Sequence, residues 1–139
     1  MHPVRYLVIG MSAALLQGAR GATEDIDLWF EDVEDPRIGA AVRAANGIWI
    51  SGSFGLGPPR IGGADLSERL DVVTRVDGLE PFAIEYMSAR FEVVDGLSLP
   101  LLPLRRILAS KRASGRPKDA LAAHLIEDAL IAAEHGDDV

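Results

Sequence analysis

The feature that most constrains this chain lies near its start. Tyr6-Leu7-Val8-Ile9 is an unbroken apolar run, halted by Gly10 and followed at once by Ser12-Ala13-Ala14-Leu15-Leu16-Gln17. Four consecutive apolar residues fit a buried strand, whereas Ala, Leu and Gln are good helix formers. The order predicts a strand, a tight glycine turn and a helix, with Ser12 as the N-cap and Gly18 as the stop. A chain that opens in this way points to an α/β arrangement.

The remaining pattern agrees. Asp25-Ile26-Asp27-Leu28-Trp29-Phe30 alternates and then turns fully apolar, which predicts a second strand. Asp35-Pro36 places an N-cap before a proline at the first helical position, and that helix is expected to run to about Ala45 and stop at Asn46-Gly47. Ile48-Trp49-Ile50 predicts a short strand. From Ser51 to Asp65 glycine and proline dominate, so a mobile surface loop is expected there; neither flank is long enough to make it a linker between domains. Leu70-Asp71-Val72-Val73-Thr74 predicts a third strand and Pro81 to Ala89 a short helix. Phe91 to Val94, the Asp95-Gly96 turn and Leu97 to Leu99 predict a hairpin. Two helices are expected to close the chain, from about Leu104 to Ala113 and from near Pro117 to before Gly136. In the second, Leu121, Ala122, Leu125, Ile126, Ala129 and Leu130 form one broad apolar face. The expectation is a single domain over 1–139: a small mixed, twisted sheet backed by helices, α/β (α+β), with two C-terminal helices alongside.

Composition narrows the function. Hydrophobic residues make up 48% and charged ones 25%, which excludes a disordered polar chain. No apolar run approaches the ~18–20 residues of a membrane span, and the first residues lack the pattern of a secretory leader, so a cytoplasmic protein is expected. The absence of cysteine excludes disulfides, thiolate zinc sites and a cysteine nucleophile. Fourteen Lys and Arg against 21 Asp and Glu give a net charge of −7, which argues against a long nucleic acid as partner. Yet Arg105, Arg106, Lys111, Arg112, Arg116 and Lys118 crowd one short region, a local patch suited to a small polyphosphate.

The chemistry-bearing constellation is Gly10-Met11-Ser12, then Asp25-Ile26-Asp27, then Asp71. Side chains two apart on a strand share a face, ~6.6–6.8 Å apart along the chain, so Asp25 and Asp27 aim together with Ile26 turned to the core. Joined by Asp71 from another strand, they form an oxygen donor set for Mg²⁺ or Mn²⁺, and the Gly10 turn offers backbone N–H groups to phosphate. An Asp-x-Asp pair alone is commonplace on solvated strand ends; its order after strand, glycine turn and helix makes it specific. Lys111, Arg112, Arg116 and Lys118 admit two explanations, a phosphate or acidic-partner contact and a solvated helix end, with Asp119 pairing locally to Arg116 or Lys118. His2, His124 and His135 share no ligand spacing and are expected at the surface. Glu85 is expected to be structural, and Trp29 and Trp49 belong to the core.

The order Val8-Ile9-Gly10-Met11-Ser12, Gly18, then Thr23-Glu24-Asp25-Ile26-Asp27-Leu28, resembles the signature of the nucleotidyltransferase superfamily, the DNA polymerase beta-like fold. Ser110-Lys111-Arg112-Ala113-Ser114-Gly115-Arg116-Pro117-Lys118-Asp119 is similar to a Lys…Gly-Arg-x-Lys-Asp segment of its small bacterial branch, which includes minimal nucleotidyltransferases and abortive-infection toxin-type members. The resemblance implies that Asp25 and Asp27 ligate the metal, with Asp71 as the third carboxylate activating an acceptor hydroxyl. It further implies that Gly10, Ser12 and Lys111 contact an NTP, and that a toxin or antitoxin is a partner. One departure is Met11, where the family usually carries a small residue. It keeps a non-catalytic, partner-binding role as the alternative, alongside hydrolysis of a phosphoryl substrate by the same carboxylates.

Overall fold

The turn after Ile9 sets the architecture. In the computed structural model, which describes residues 2–50, 58–63 and 69–135, β1 (Tyr6–Ile9) passes directly into α1 (Gly10–Leu16). Gly10 has φ +65°, a left-handed conformation that only glycine adopts without penalty, so the chain reverses with no intervening loop. β2 (Ile26–Phe30) returns antiparallel to β1, pairing Ile9 with Asp27 and Tyr6 with Phe30. The N-cap of α1 is Ile9. Ser12 lies inside the helix, and its buried hydroxyl donates to the Ile9 carbonyl at 2.9 Å, so the expected Ser12 cap is corrected.

α2 (Pro36–Ala44) begins as its sequence dictates: an Asp35 carboxylate oxygen accepts from the Arg37 N–H at 2.9 Å. It ends with Asn46 at φ +64°, the Asn46 N–H donating to the Arg43 carbonyl at 3.0 Å and the Gly47 N–H to that of Val42 at 2.8 Å. β3 (Ile48–Ile50) pairs antiparallel with β4 (Arg60–Gly62) as a separate two-stranded sheet. Part of the expected glycine-rich loop is therefore a strand; its segments 51–57 and 64–65 lie outside the described residues.

β5 (Leu70–Val73) lies parallel to β2, with Asp27 and Asp71 as register partners. α3 (Phe82–Tyr86) precedes β6 (Arg90–Val94), which turns through Asp95 and Gly96, both at positive φ, into β7 (Leu97–Leu101). α4 (Leu104–Ser114) and α5 (Pro117–His135) follow. The main sheet has the order β5-β2-β1-β7-β6 and is mixed, with β1–β7 and β2–β5 parallel and β1–β2 and β6–β7 antiparallel. This is the expected twisted mixed sheet with two C-terminal helices.

β1 is buried on both faces, and its Leu7, Val8 and Ile9 join Leu101, Leu102, Ile107 and Ile126 in the principal core. Trp29 packs edge-on to Phe82, ring centroids 5.3 Å apart. A second cluster of Ile38, Val42 and Ile61 takes in Phe30, Trp49, Leu70 and Val72. Two burial expectations are corrected. Ile26 is 41% exposed because it begins its strand, and Leu121 is 64% exposed because α5 meets its neighbours through Asp119, Ala122, Ala123 and Ile126. No helix among the described residues is long and apolar enough to cross a membrane.

Candidate active site

The antiparallel return of β2 and the parallel docking of β5 bring three chain segments to one end of the sheet. Gly10 leaves β1 beside Asp27, and Asp71 faces Asp27 across the β2–β5 ladder. Paired residues on neighbouring strands project from the same side, so two carboxylates stand next to each other by backbone geometry alone. Asp25 lies one residue before β2. The Thr23 hydroxyl bridges locally there, accepting from the Asp25 N–H at 3.4 Å and donating to the Asp25 carbonyl at 3.2 Å.

Asp27 is the electrostatic centre of this end. Its carboxyl is raised above the usual carboxylate range, first by burial, then by the negative charge of Asp71, with Asp25 adding to the effect; Lys111 and Lys118 pull the other way. The carboxylate also sits close beside Gly10. A Cβ on Gly10 would overlap Asp27 Oδ2, so glycine is required there for space as well as for φ. Ser12 stands behind this pair, accepting a long 3.4 Å hydrogen bond from the Asp27 N–H. With its hydroxyl occupied by Ile9 and Asp27, Ser12 braces β1 against β2 and is absent from the cavity wall.

A cavity of about 350 Å³ opens beside Asp27. Gly10 and Asp27 line one side, and Ser110, Lys111, Ser114, Arg116, Lys118 and Asp119 the other, with Arg75 and Asp77 at the end of β5. The wall from α4 and α5 is organised by Asp119, which is 2% exposed. Its carboxylate accepts from Ser114 Oγ at 2.6 Å, Arg116 Nε at 2.9 Å and Lys111 Nζ at 3.3 Å. Burial pushes the Asp119 carboxyl up, but the Ser114 hydroxyl together with Lys111 and Arg116 outweighs it and holds the group below the usual carboxylate range. Lys111 is thus fixed between Asp119 and the field of Asp27. Arg112 pairs with Glu127 on the exposed side and is not part of the cavity.

The sequence singled out Asp119 only as a local partner of Arg116 or Lys118. Its three donors are Lys111, Ser114 and Arg116, and it is the member of the basic segment around which the others are arranged. An acidic residue two places after a proline, amid basic neighbours, was the available signal. Glu85 is structural as expected: it is 2% exposed and accepts from Arg106 Nε at 2.9 Å and Nη2 at 2.7 Å. His2, His124 and His135 are exposed.

Among the described residues no three His, Asp or Glu side chains are gathered closely enough to enclose a metal ion by themselves. The donor chemistry still fits a hard divalent cation of the Mg²⁺ type. Such an ion takes one or two carboxylates and completes its shell with water and phosphate oxygens. The negative charge that Asp71 and Asp25 impose on Asp27 is the charge a cation relieves. No family model matches the chain, and no curated protein does.

Proposed function

We propose that this chain is a metal-dependent nucleotidyltransferase that moves a nucleoside monophosphate from an NTP to a hydroxyl acceptor. The observation that carries this is Asp27, which lines one cavity with Gly10, Lys111 and Lys118 and is paired in register with Asp71; Asp71 and Asp25 flank Asp27 outside the cavity lining. The resemblance of the strand, glycine turn, helix and Asp-x-Asp order to the nucleotidyltransferase signature supports the same conclusion.

Each residue has a task in this proposal. Asp25 and Asp27 hold Mg²⁺, which when bound neutralises phosphate charge and polarises the reacting phosphoryl group. Lys111, kept in place by Asp119, receives phosphate oxygens, and Arg116 and Lys118 widen the positive wall. The Gly10 turn lets backbone come close to the phosphates without a side chain in the way. Asp71, on the open side, accepts the proton of the acceptor hydroxyl. The acceptor oxygen forms a bond to the α-phosphorus as the bond from that phosphorus to the pyrophosphate oxygen breaks, and pyrophosphate leaves. The acceptor class is a protein side chain, a small hydroxylated molecule or a tRNA end, and a toxin or antitoxin partner follows from the family resemblance alone.

Isothermal calorimetry with each of the four NTPs, with and without Mg²⁺, tests the reading. Heat that requires both metal and nucleotide, and that disappears in the combined Asp25→Asn and Asp27→Asn variant, is expected. Silence with every NTP in the presence of metal favours the partner-binding alternative and removes the enzymatic one.

A further inference from the structure

The sheet is closed off at one edge and open at the other. At the β5 edge the β3–β4 ribbon packs alongside. At the β6 edge the sheet order simply ends, so among the described residues β6 has a strand on one side only. An edge strand presents unpaired backbone N–H and C=O groups, and soluble proteins normally blunt such an edge. Here the edge carries two charges, Arg90 and Glu92, together with exposed apolar side chains. Among the described residues ten large apolar side chains are exposed, and five of them fall between 84 and 97: Ile84 at 53%, Met87 at 83%, Phe91 at 57%, Val93 at 73% and Leu97 at 65%. Phe91 and Val93 share one face of β6, while Arg90 and Glu92 share the other.

We propose that β6 is a self-association edge, at which a second copy of this chain adds its own β6 antiparallel, about a two-fold axis through Phe91. The charges select that register. With Phe91 opposite the partner's Phe91, Arg90 stands opposite the partner's Glu92, and the symmetric pair repeats it. A two-residue shift in one direction sets Arg90 against Arg90, and in the other Glu92 against Glu92. A one-residue shift turns the apolar face of one copy toward the charged face of the other. Only the proposed register therefore matches opposite charges on one face, while on the other Phe91 meets its own copy and each Val93 reaches the partner's Phe91 across the diagonal; like charges directly opposite are destabilising. The exposed Arg90–Glu92 pair within one chain, 3.3 Å apart, becomes half of a four-charge array. An isologous contact of this kind is the commonest form of homo-oligomer. Because β6 is the edge farthest from β5, both Asp27–Asp71 sites remain open in the dimer.

Sedimentation equilibrium of the full chain tests this, with twice the chain mass expected at rising concentration. Arg90→Glu alone and Glu92→Arg alone each place like charges opposite one another twice and are expected to weaken association at least about tenfold. The double exchange, Arg90→Glu with Glu92→Arg, restores opposite pairing and is expected to recover the dimer. The chain has no cysteine of its own, so cross-linking gives a second measurement that does not depend on those charges. Under mild oxidation Phe91→Cys is expected to form a disulfide-linked dimer, and Val93→Cys, which has no self-partner in this register, is not. A wild-type monomer at all concentrations overturns the proposal. A double exchange that stays monomeric, or faster cross-linking at 93 than at 91, overturns the register.

Discussion

The carboxylate of Asp27 rests against the α-carbon of Gly10, in the space a side chain on Gly10 would fill. One residue thus supplies the turn out of β1 and the room for the central acid of the site. Gly115, at φ +68°, has nearly the same backbone conformation as Gly10 but open space where a Cβ would sit. Gly115→Ala is expected to cost about 1–2 kcal/mol, the left-handed penalty alone. Gly10→Ala is expected to cost roughly 2–4 kcal/mol, because Asp27 must also move. Equal losses in denaturant titrations of the two variants would show that Asp27 does not press on Gly10.

Asp27 is costly to keep charged. Its carboxyl is raised by burial first and by Asp71 next, so its ionisation works against the fold at neutral pH. For a raised carboxyl the favourable contribution is complete below its ordinary value of 3.8 and is lost as pH climbs through the folded value. Asp27→Asn is therefore expected to raise the thermal midpoint at pH 7 while abolishing Mg²⁺-dependent NTP binding. A lower midpoint than wild type at pH 7 contradicts this electrostatic account.

The Glu85–Arg106 clamp ties α3 to α4. Glu85 also accepts from the Glu80 N–H at 2.8 Å, so both of its oxygens are engaged. Arg106→Ala leaves a buried carboxylate facing a gap and is expected to cost about 2–3 kcal/mol, at or below the low end for buried pairs because the Arg106 side chain is 36% exposed. The joint replacement Glu85→Leu with Arg106→Leu is expected to cost less than Arg106→Ala alone. Thermal unfolding of the three proteins provides the comparison.

Acid unfolding follows from the same groups. Glu85 is held below its ordinary 4.5, chiefly by the hydrogen bonds from Arg106, and Asp119 below its ordinary 3.8. A depressed carboxyl contributes stability above its unfolded value and loses it as pH falls through the folded value. Stability is expected to begin falling near pH 5 and to continue falling below pH 4, with proton uptake on unfolding. Glu85→Gln and Asp119→Asn should each flatten part of that slope, and an unchanged slope in both variants would remove these two groups as the cause.

Lys111 and Asp119 act on phosphate as a unit in the proposed site. Lys111→Met removes one charge-assisted contact, worth about 1.5–3 kcal/mol, and is expected to weaken Mg²⁺–NTP binding about 10- to 100-fold. Arg112→Met, whose side chain turns to Glu127 outside the cavity, is expected to leave binding within about twofold of wild type. Calorimetric titration of both variants separates a specific phosphate contact from a general effect of positive charge.

Local chemistry made much of the fold legible. Asp35-Pro36, Asn46-Gly47 and Asp95-Gly96 each carry their own geometry, and each element they bound appears where the pattern places it. Contacts between distant segments were less visible. β4 is three residues within a glycine- and proline-rich stretch, and it exists only by pairing with β3. The Glu85–Arg106 clamp joins residues 21 positions apart, a distance no periodicity reports. At the site, Asp25, Asp27 and Asp71 could be selected from strand patterns, but the direct pairing of Asp27 with Asp71 is a property of sheet order. Ser12 misled as a cap because a hydroxyl just after a turn suits an N-cap, whereas the cap is Ile9 and the Ser12 hydroxyl bonds to the backbone of β1 and β2.

The parallel ladder between β2 and β5 has one more implication. Its two strands are joined through α2 and the β3–β4 ribbon, so this contact closes a long stretch of chain, and such contacts form late in folding. A molecule in which β5 peels away keeps β1, β7 and their helices yet separates Asp71 from Asp27. Whatever bridges those two acids acts as a clasp on the sheet margin, and amide hydrogens of Leu70 to Val73 should exchange more slowly when the clasp is fastened.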